Sequence, residues 1–184
     1  MELVTSRLKI RELEKKDAAG LIENLNDQEI TSKLLLVSYP YDDKEANWWI
    51  NKCQEEARRK PRINYDFAIE LKSEKRLVGG IGLTRVDSFQ GKAEIGFWLG
   101  KKYWRQGLMT EAINATLEFA FNKLFLRRIE WNAFTDNEAS NALAKKIGFS
   151  LEGTMKRGAR SKASGLVHDE NFYALLKEDW AKRK

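Results

Sequence analysis

The sequence predicts an α+β fold (mixed α/β): a central, mostly antiparallel sheet with one parallel pair, and helices on both faces. Two observations carry that prediction. Three alternating runs, Tyr65–Leu71, Leu77–Val86 and Ala93–Leu99, are separated only by the short polar turns Lys72–Arg76 and Asp87–Lys92, which is the pattern of an antiparallel meander. The third run is followed by a helix-length stretch, Met109–Lys123, before strand pattern returns at Arg128–Phe134. A strand–helix–strand crossover of that length brings its two strands together in parallel.

The elements follow in order. Leu3 to Leu13 alternates as a strand, with Leu8 and Ile10 set against Lys9 and Arg11. Asp17 stands where an N-cap would open a helix through Leu21, Ile22 and Leu25. A second helix covers about Lys44 to Arg59, after the turn-like Tyr39-Pro40-Tyr41-Asp42-Asp43, and Pro61 stops it. In the meander, Tyr65, Phe67, Ile69 and Leu71 share one face. In its last strand Ala93, Ile95, Phe97 and Leu99 face one way and Glu94, Gly96 and Trp98 the other. The apolar period then becomes helical at Met109, Ile113, Ala120 and Leu124, with Leu117 and Phe121 widening the stripe. Within Arg128–Phe134, Ile129, Trp131 and Ala133 alternate with polar neighbours. Thr135 and Glu138 have capping-box spacing; Ala139, Leu143 and Ile147 form the stripe of the next helix, and Gly148 is placed to end it. Phe149–Met155 and Val167–Leu176 read as closing strands around a loop of Gly, Ser, Lys and Arg.

Bulk properties narrow the function classes. With 184 residues, 33% charged, 42% hydrophobic and only 2 Pro, the chain reads as one domain spanning 1–184 rather than a disordered or linker-rich one. No apolar run approaches the ~20 residues of a membrane span. Met1–Arg7 enters strand pattern without a signal-peptide core. The single Cys53 excludes an internal disulfide framework and a Cys-rich metal site. A soluble, cytoplasmic protein with no membrane partner is the expectation. The formal charge of +6 suits a polyanionic cofactor, an acidic partner, nucleic acid or solubility alone. Because the basic residues are spread along the chain, with one knot at Lys156, Arg157, Arg160 and Lys162, nucleic acid is not expected as the main ligand.

Most of the functional signal lies between Glu94 and Ala112. A strand feeds a short basic loop containing Gly107, and the loop feeds a helix. Unpaired N–H groups and the positive end of the helix dipole there suit a phosphate, with Lys101, Lys102 and Arg105 adding positive charge. Three blocks in order, Glu94-Ile95-Gly96-Phe97-Trp98-Leu99, Tyr103-Trp104-Arg105-Gln106-Gly107-Leu108-Met109-Thr110-Glu111-Ala112, and Asn137-Glu138-Ala139-Ser140 followed by Gly148-Phe149, carry a resemblance. The chain resembles the GNAT acyl-CoA-dependent N-acetyltransferases, and within them the ribosomal-protein N-terminal acetyltransferase type. The likeness runs from Leu8-Lys9-Ile10-Arg11 to the closing His168–Leu176 segment. Two places depart from the superfamily's phosphate loop: Trp104 stands in its first position, as is common in this branch, and Met109 in its last. The Met109 side chain must therefore enter the core and leave only its N–H for a ligand.

The resemblance implies the GNAT fold and acetyl transfer from acetyl-CoA, the cosubstrate, to a primary amine, foremost the N-terminal α-amine of a protein. It places the pyrophosphate on the N–H groups of Arg105, Gln106, Gly107, Leu108 and Met109, with Trp104 also in the cofactor site, and the pantetheine arm along the backbone of Phe97, Trp98 and Leu99. It gives Asn137 a contact to pantetheine or the sulfur region, the competing reading being a helix-cap residue, and Ser140 either a cofactor contact or protonation of the departing thiolate. Glu94 is the candidate base, directly or through a water; the competing reading is a solvated or salt-bridged strand glutamate. At pH 7 an α-amine is roughly 10–15% neutral and a lysine amine on the order of 0.04%, so a modest base suffices for an N-terminus. His168 reads as a turn residue, Tyr173 as core and Cys53 as an inert, half-buried thiol. Tyr39, Tyr41, Trp48 and Trp49 form either an acceptor wall or core. Other readings stay open: a small amine acceptor such as a polyamine, aminoglycoside or amino acid, which acidic residues in the cleft would favour for a polyamine; a non-catalytic acyl-CoA-binding module; or an RNA-binding module. Relatives are often homodimers.

Overall fold

In the computed structural model, which describes residues 1–183, eight strands form one sheet. They are β1 (Glu2–Val4), β2 (Leu8–Glu12), β3 (Tyr65–Leu71), β4 (Arg76–Asp87), β5 (Lys92–Leu99), β6 (Arg128–Phe134), β7 (Ser150–Arg160) and β8 (Val167–Leu176). The sheet order is β1-β2-β3-β4-β5-β6-β8-β7. The helices are α1 (Ala18–Leu25), α2 (Gln28–Thr31), α3 (Asp43–Arg58), α4 (Leu108–Asn122), α5 (Glu138–Ile147) and α6 (Lys177–Ala181). All neighbouring strands run antiparallel except β5 and β6, which pair in parallel. The long α4 crossover enforces that direction, as the sequence pattern predicts.

Alternation in the strands sorts the core onto two faces. Phe67, Ile69, Ile81, Leu83, Ala93 and Ile95 pack with the buried stripe of α4 into the larger cluster. Ala68, Leu77 and Trp98 point the other way, into a smaller cluster with α1 and α3. Met109 is only 8% exposed and belongs to the larger core, so its bulk is absorbed there. Among the described residues no helix is long and apolar enough to cross a membrane, and no group of three His, Cys, Asp or Glu is placed to hold a metal ion.

Several local expectations are corrected. The first strand is not continuous from Leu3 to Leu13. It breaks at Thr5–Arg7 because Thr5 Oγ1, Ser6 Oγ and the Arg7 N–H donate to Glu111 Oε1 on α4 at 2.5, 3.0 and 2.9 Å. Asp17 precedes α1 but does not cap it. Its carboxylate takes a bidentate pair from the buried Arg11 at 2.7 and 2.8 Å and the Glu14 N–H at 2.8 Å. The short α2 has no counterpart in the sequence reading. Helix α5 is capped not by Thr135 but by Asn137, whose Oδ1 accepts the Ser140 N–H at 3.2 Å.

The α5 stripe is also rotated. Asn141, Ala144 and Ile147 are buried, whereas Ala139 is exposed and Leu143 half-buried. A polar residue takes the core face because its side chain is fully engaged. Asn141 Nδ2 donates to the carbonyls of Phe134 (2.9 Å) and Asn137 (2.7 Å), and Oδ1 accepts from Tyr173 Oη (2.7 Å) and Asn171 Nδ2 (2.8 Å). This network holds the β6–α5 turn on β8.

Candidate active site

The parallel ladder between β5 and β6 is short. It pairs Lys92, Ala93 and Glu94 with Arg128, Ile129 and Glu130 and then stops, although both strands continue. Beyond Glu94 the sheet opens into a V. On its β5 side, the β6-facing backbone groups of Ile95–Trp98 have no strand partner, a free edge that an extended ligand chain can pair with. A wedge of rings spans the opening on the core face: Phe97 and Trp131 meet edge-on at 4.7 Å, and Trp131 meets Phe149 at 5.1 Å. The resulting cleft measures about 810 Å³, within the range of small-molecule sites (about 300–1,000 Å³).

The loop before α4 closes one end of the cleft. Arg105 and Gly107 both have left-handed backbones, with φ of 59° and 75°. Such conformations around Gln106 turn N–H groups into one concavity, and the first turn of α4 adds its own unpaired donors. The loop is held in place: Trp104 Nε1 donates to the Leu99 carbonyl (2.7 Å) and Gln106 Nε2 to the Lys102 carbonyl (2.9 Å). Its flanking charge is smaller than the sequence suggests. Lys101 is paired with Glu29, and Lys102 lies 3.7 and 3.9 Å from Glu23 and Glu74. Of these three cations only Arg105 lacks an ion-pair partner among the described residues.

Glu94 occupies the apex of the V. Burial raises its pKa above the ordinary glutamate value and Glu130 adds to the rise, while Arg85, 3.1 Å away, opposes it. Arg85 reaches it from a left-handed residue (φ 53°) at the irregularity in the β4–β5 ladder. Glu170 on β8 lines the same cleft, and its pKa is raised by burial and then by Glu94. Both carboxyls are raised chiefly by burial, and the charge of Glu94 adds to the rise at Glu170.

Two further groups face the opening. Trp131 Nε1 donates to Ser140 Oγ at 3.1 Å. Because that bond uses a lone pair of the serine oxygen, the hydroxyl hydrogen remains free to be donated elsewhere. Asn137 Oδ1 accepts the α5 cap bond, which leaves its Nδ2 donors and one Oδ1 lone pair for a ligand. On the opposite sheet face Gly96, in the middle of the sheet, is exposed, and an added Cβ would meet nothing within 4 Å. Beside this open floor the Trp98 indole lies flat on Gly80, where a Cβ would stand 2.5 Å from Nε1. Asp66 Oδ1 likewise lies over Gly82. Burial pushes the Asp66 carboxyl up to about 6 against the pull of Arg62 and Lys52.

Comparison with known proteins decides the family. The model of the acetyltransferase (GNAT) domain matches residues 7–150. The chain belongs to the GNAT acetyltransferases. It is 30% identical over 183 residues to the uncharacterized N-acetyltransferase p20 of Bacillus licheniformis, covering 97% of this chain and 98% of that one. It is 33% identical over 103 residues to the ribosomal-protein-serine acetyltransferase of Escherichia coli (strain K12), 56% of each chain. The crystal structure of an acetyltransferase (GNAT family) from Bacillus anthracis superposes with a TM-score of 0.81 at 28% identity, covering 97% of this chain and 99% of that one.

Of the site residues singled out in this GNAT chain, all but Gln106 line the cleft. Gln106 is turned away, its carbonyl taken by Arg7 Nη1 at 2.8 Å and its side chain by Lys102. The exposed Ala139 and half-buried Leu143, expected as core, line the cleft too. His168 does not line it. Its ring stacks on Phe134 at 4.3 Å, with Nδ1 3.3 Å from Asp136. Tyr173 is core, and Cys53 is fully rather than half-buried, its thiol pushed up by burial. Tyr41 is core, whereas the cleft receives Ile30, Lys33, Leu34 and Leu35 from α2 and the loop after it. Sequence reasoning missed Glu170 and Trp131 as parts of the site. Glu170 sits one register step from the turn that Asn141 braces, and no local motif flags it.

Proposed function

We propose that this N-acetyltransferase moves the acetyl group of acetyl-CoA to a primary amine by direct attack in a ternary complex, with the N-terminal α-amine of a protein as its acceptor. The observation that carries the reading is the opening of the sheet after Glu94 directly beside the left-handed loop Arg105–Gly107. One end offers donors for a pyrophosphate and the middle offers a free strand edge for the pantetheine arm. The other end offers a carboxylate pair for the amine.

Glu94, its carboxyl raised by burial, takes one proton from the incoming ammonium, directly or through a water. The freed nitrogen lone pair attacks the thioester carbonyl, and backbone N–H groups of the β5 edge face the oxygen that gains charge. As the C–S bond breaks, Ser140 donates its free hydroxyl hydrogen to the sulfur and recovers a proton from the attacking nitrogen. One proton thus leaves through Glu94 and one ends on the CoA thiol. An α-amine supports this reading because its neutral fraction at pH 7 is several hundred times that of a lysine. The name of the Escherichia coli relative supports a ribosomal protein as its bearer.

A second acceptor class has one observation in its favour: Glu29, Glu94 and Glu170 all line the cleft, which suits a small polycation such as a polyamine. Thiol release from acetyl-CoA, measured across N-terminal peptides, the same peptides with blocked N-termini, and polyamines, separates the two. Turnover only of free N-termini is expected. Faster turnover of a polyamine would replace the acceptor while keeping the chemistry.

A further inference from the structure

The break at Thr5–Arg7 has a use that neither the fold nor the chemistry above requires. Glu111, in the first turn of α4, gathers the Thr5 and Ser6 hydroxyls and the Arg7 N–H on Oε1. Its Oε2 accepts from Arg7 Nε at 2.7 Å. These donors outweigh the burial that opposes them and hold the Glu111 carboxyl down to about 2. The far end of the same guanidinium donates from Nη1 to the Gln106 carbonyl at 2.8 Å. One arginine therefore ties helix α4 to the middle residue of the left-handed loop.

We propose that Arg7 is a positioning residue for the nucleotide end of acetyl-CoA, acting through the Gln106–Gly107 peptide. A trans peptide points its C=O and its N–H in opposite directions. With the Gln106 carbonyl drawn outward onto Arg7, the Gly107 N–H is aimed inward, toward the concavity between Arg105 and the start of α4. Without that hold the peptide is free to rotate, and the loop meets a phosphate only after paying the entropy of ordering its donors. Glu111 fixes the fork from behind, so the guanidinium reaches the loop in one geometry. The arginine itself stays 47% exposed, which separates this role from core packing.

This inference rests on the loop being the nucleotide site, and the test keeps the two apart. Calorimetric titration with CoA and steady-state kinetics with acetyl-CoA are run on the wild type, Arg7→Gln, Arg7→Lys and Ser6→Ala. In Arg7→Gln the Kd for CoA and the KM for acetyl-CoA are expected to rise about tenfold, about 1.4 kcal/mol, with kcat within about twofold. Arg7→Lys keeps a cation for Glu111 but cannot hold both partners at once, so its KM rises about threefold. Ser6→Ala removes one of the four donors on Glu111 but leaves Arg7 Nε on Oε2 and Nη1 on the Gln106 carbonyl, so its KM stays within about twofold of wild type. A purely structural role would lower the melting temperature and leave the KM of the folded enzyme alone. Wild-type KM in Arg7→Gln overturns the proposal; if that variant does not fold, wild-type KM in Arg7→Lys overturns it. Failure of the wild type to bind CoA overturns the reading of the loop, and the role of Arg7 falls with it.

Discussion

On the loop side of the cleft, which the proposed function gives to the nucleotide, polar groups are bonded to one another before any ligand arrives; on the carboxylate side, given there to the acceptor, charges are held without full compensation. Trp104, Gln106, Arg7 and Glu111 each have defined partners around the loop. Across the opening, one exposed arginine acts on both Glu94 and Glu170; outside the cleft, the half-buried Asp66 lies over Gly82 with its carboxyl pushed up to about 6. A ligand end that never changes is met by a preformed surface. In the proposed reaction, an amine that must lose a proton is met by carboxylates whose raised pKa makes them stronger bases. The difference teaches where rigidity and where strain are stored in this enzyme.

The comparison can be broken most sharply at the acceptor side. Glu94→Gln should lower kcat by about 10²–10³-fold, the scale of a lost general base, with the KM for acetyl-CoA within about twofold. The wild-type rate should also rise with pH along a limb above the ordinary glutamate value, and the variant should lose that limb; unchanged kcat would assign Glu94 to the surface instead. On the nucleotide side, Glu111 has a lowered folded pKa. Its contribution is present above about 4.5 and lost as pH falls toward about 2, amounting to roughly 2–3 kcal/mol. Glu111→Gln should remove it, and the gap between the urea melts of the two proteins should be smaller at pH 3 than at pH 7.

Smaller effects sharpen the contrast. Gly107→Ala places a Cβ whose nearest neighbour, Arg7 Nη2, is 3.5 Å away, so there is room and only the φ of 75° opposes it. That strain is about 1–2 kcal/mol and should raise the KM for acetyl-CoA about five- to thirtyfold without changing kcat. Asp66 works in the opposite sense to Glu111. Its folded pKa of about 6 lies above 3.8, so the fold loses stability as pH rises from about 4 through 6. Asp66→Asn should therefore be more stable than wild type by about 1–2 kcal/mol at pH 7 and show no such loss, as chemical denaturation at pH 4 and pH 7 would reveal. A destabilised Asn variant would mean that Asp66 has a partner in solution.

Strands, crossover and loop were legible because their signals are local. Alternation places Glu94 and Phe97 on opposite faces, and the switch of period at Met109 locates the start of α4. What stayed hidden depends on partners far along the chain. Thr5–Arg7 looks like strand until Glu111 is brought beside it, and Asp17 looks like a cap until Arg11 claims it. The stripe Ala139–Leu143 looks like core because apolar residues facing a ligand cleft share a pattern with apolar residues facing a core. Asn141 could take the buried face only because Tyr173 and Asn171 supply its partners. The basic knot reads as four free cations, yet Lys156 is paired with Asp169 and Lys162 lies 3.6 Å from Glu45.

The central claim is that the opening after Glu94 and the loop beside it form one acyl-CoA site. Calorimetric titration of the wild-type protein with acetyl-CoA, repeated in the presence of adenosine 3′,5′-bisphosphate, tests it most directly. One molecule bound per chain at micromolar Kd, weakened competitively by the bisphosphate, is the predicted result. No binding up to millimolar acetyl-CoA, or binding that the bisphosphate leaves untouched, would contradict it.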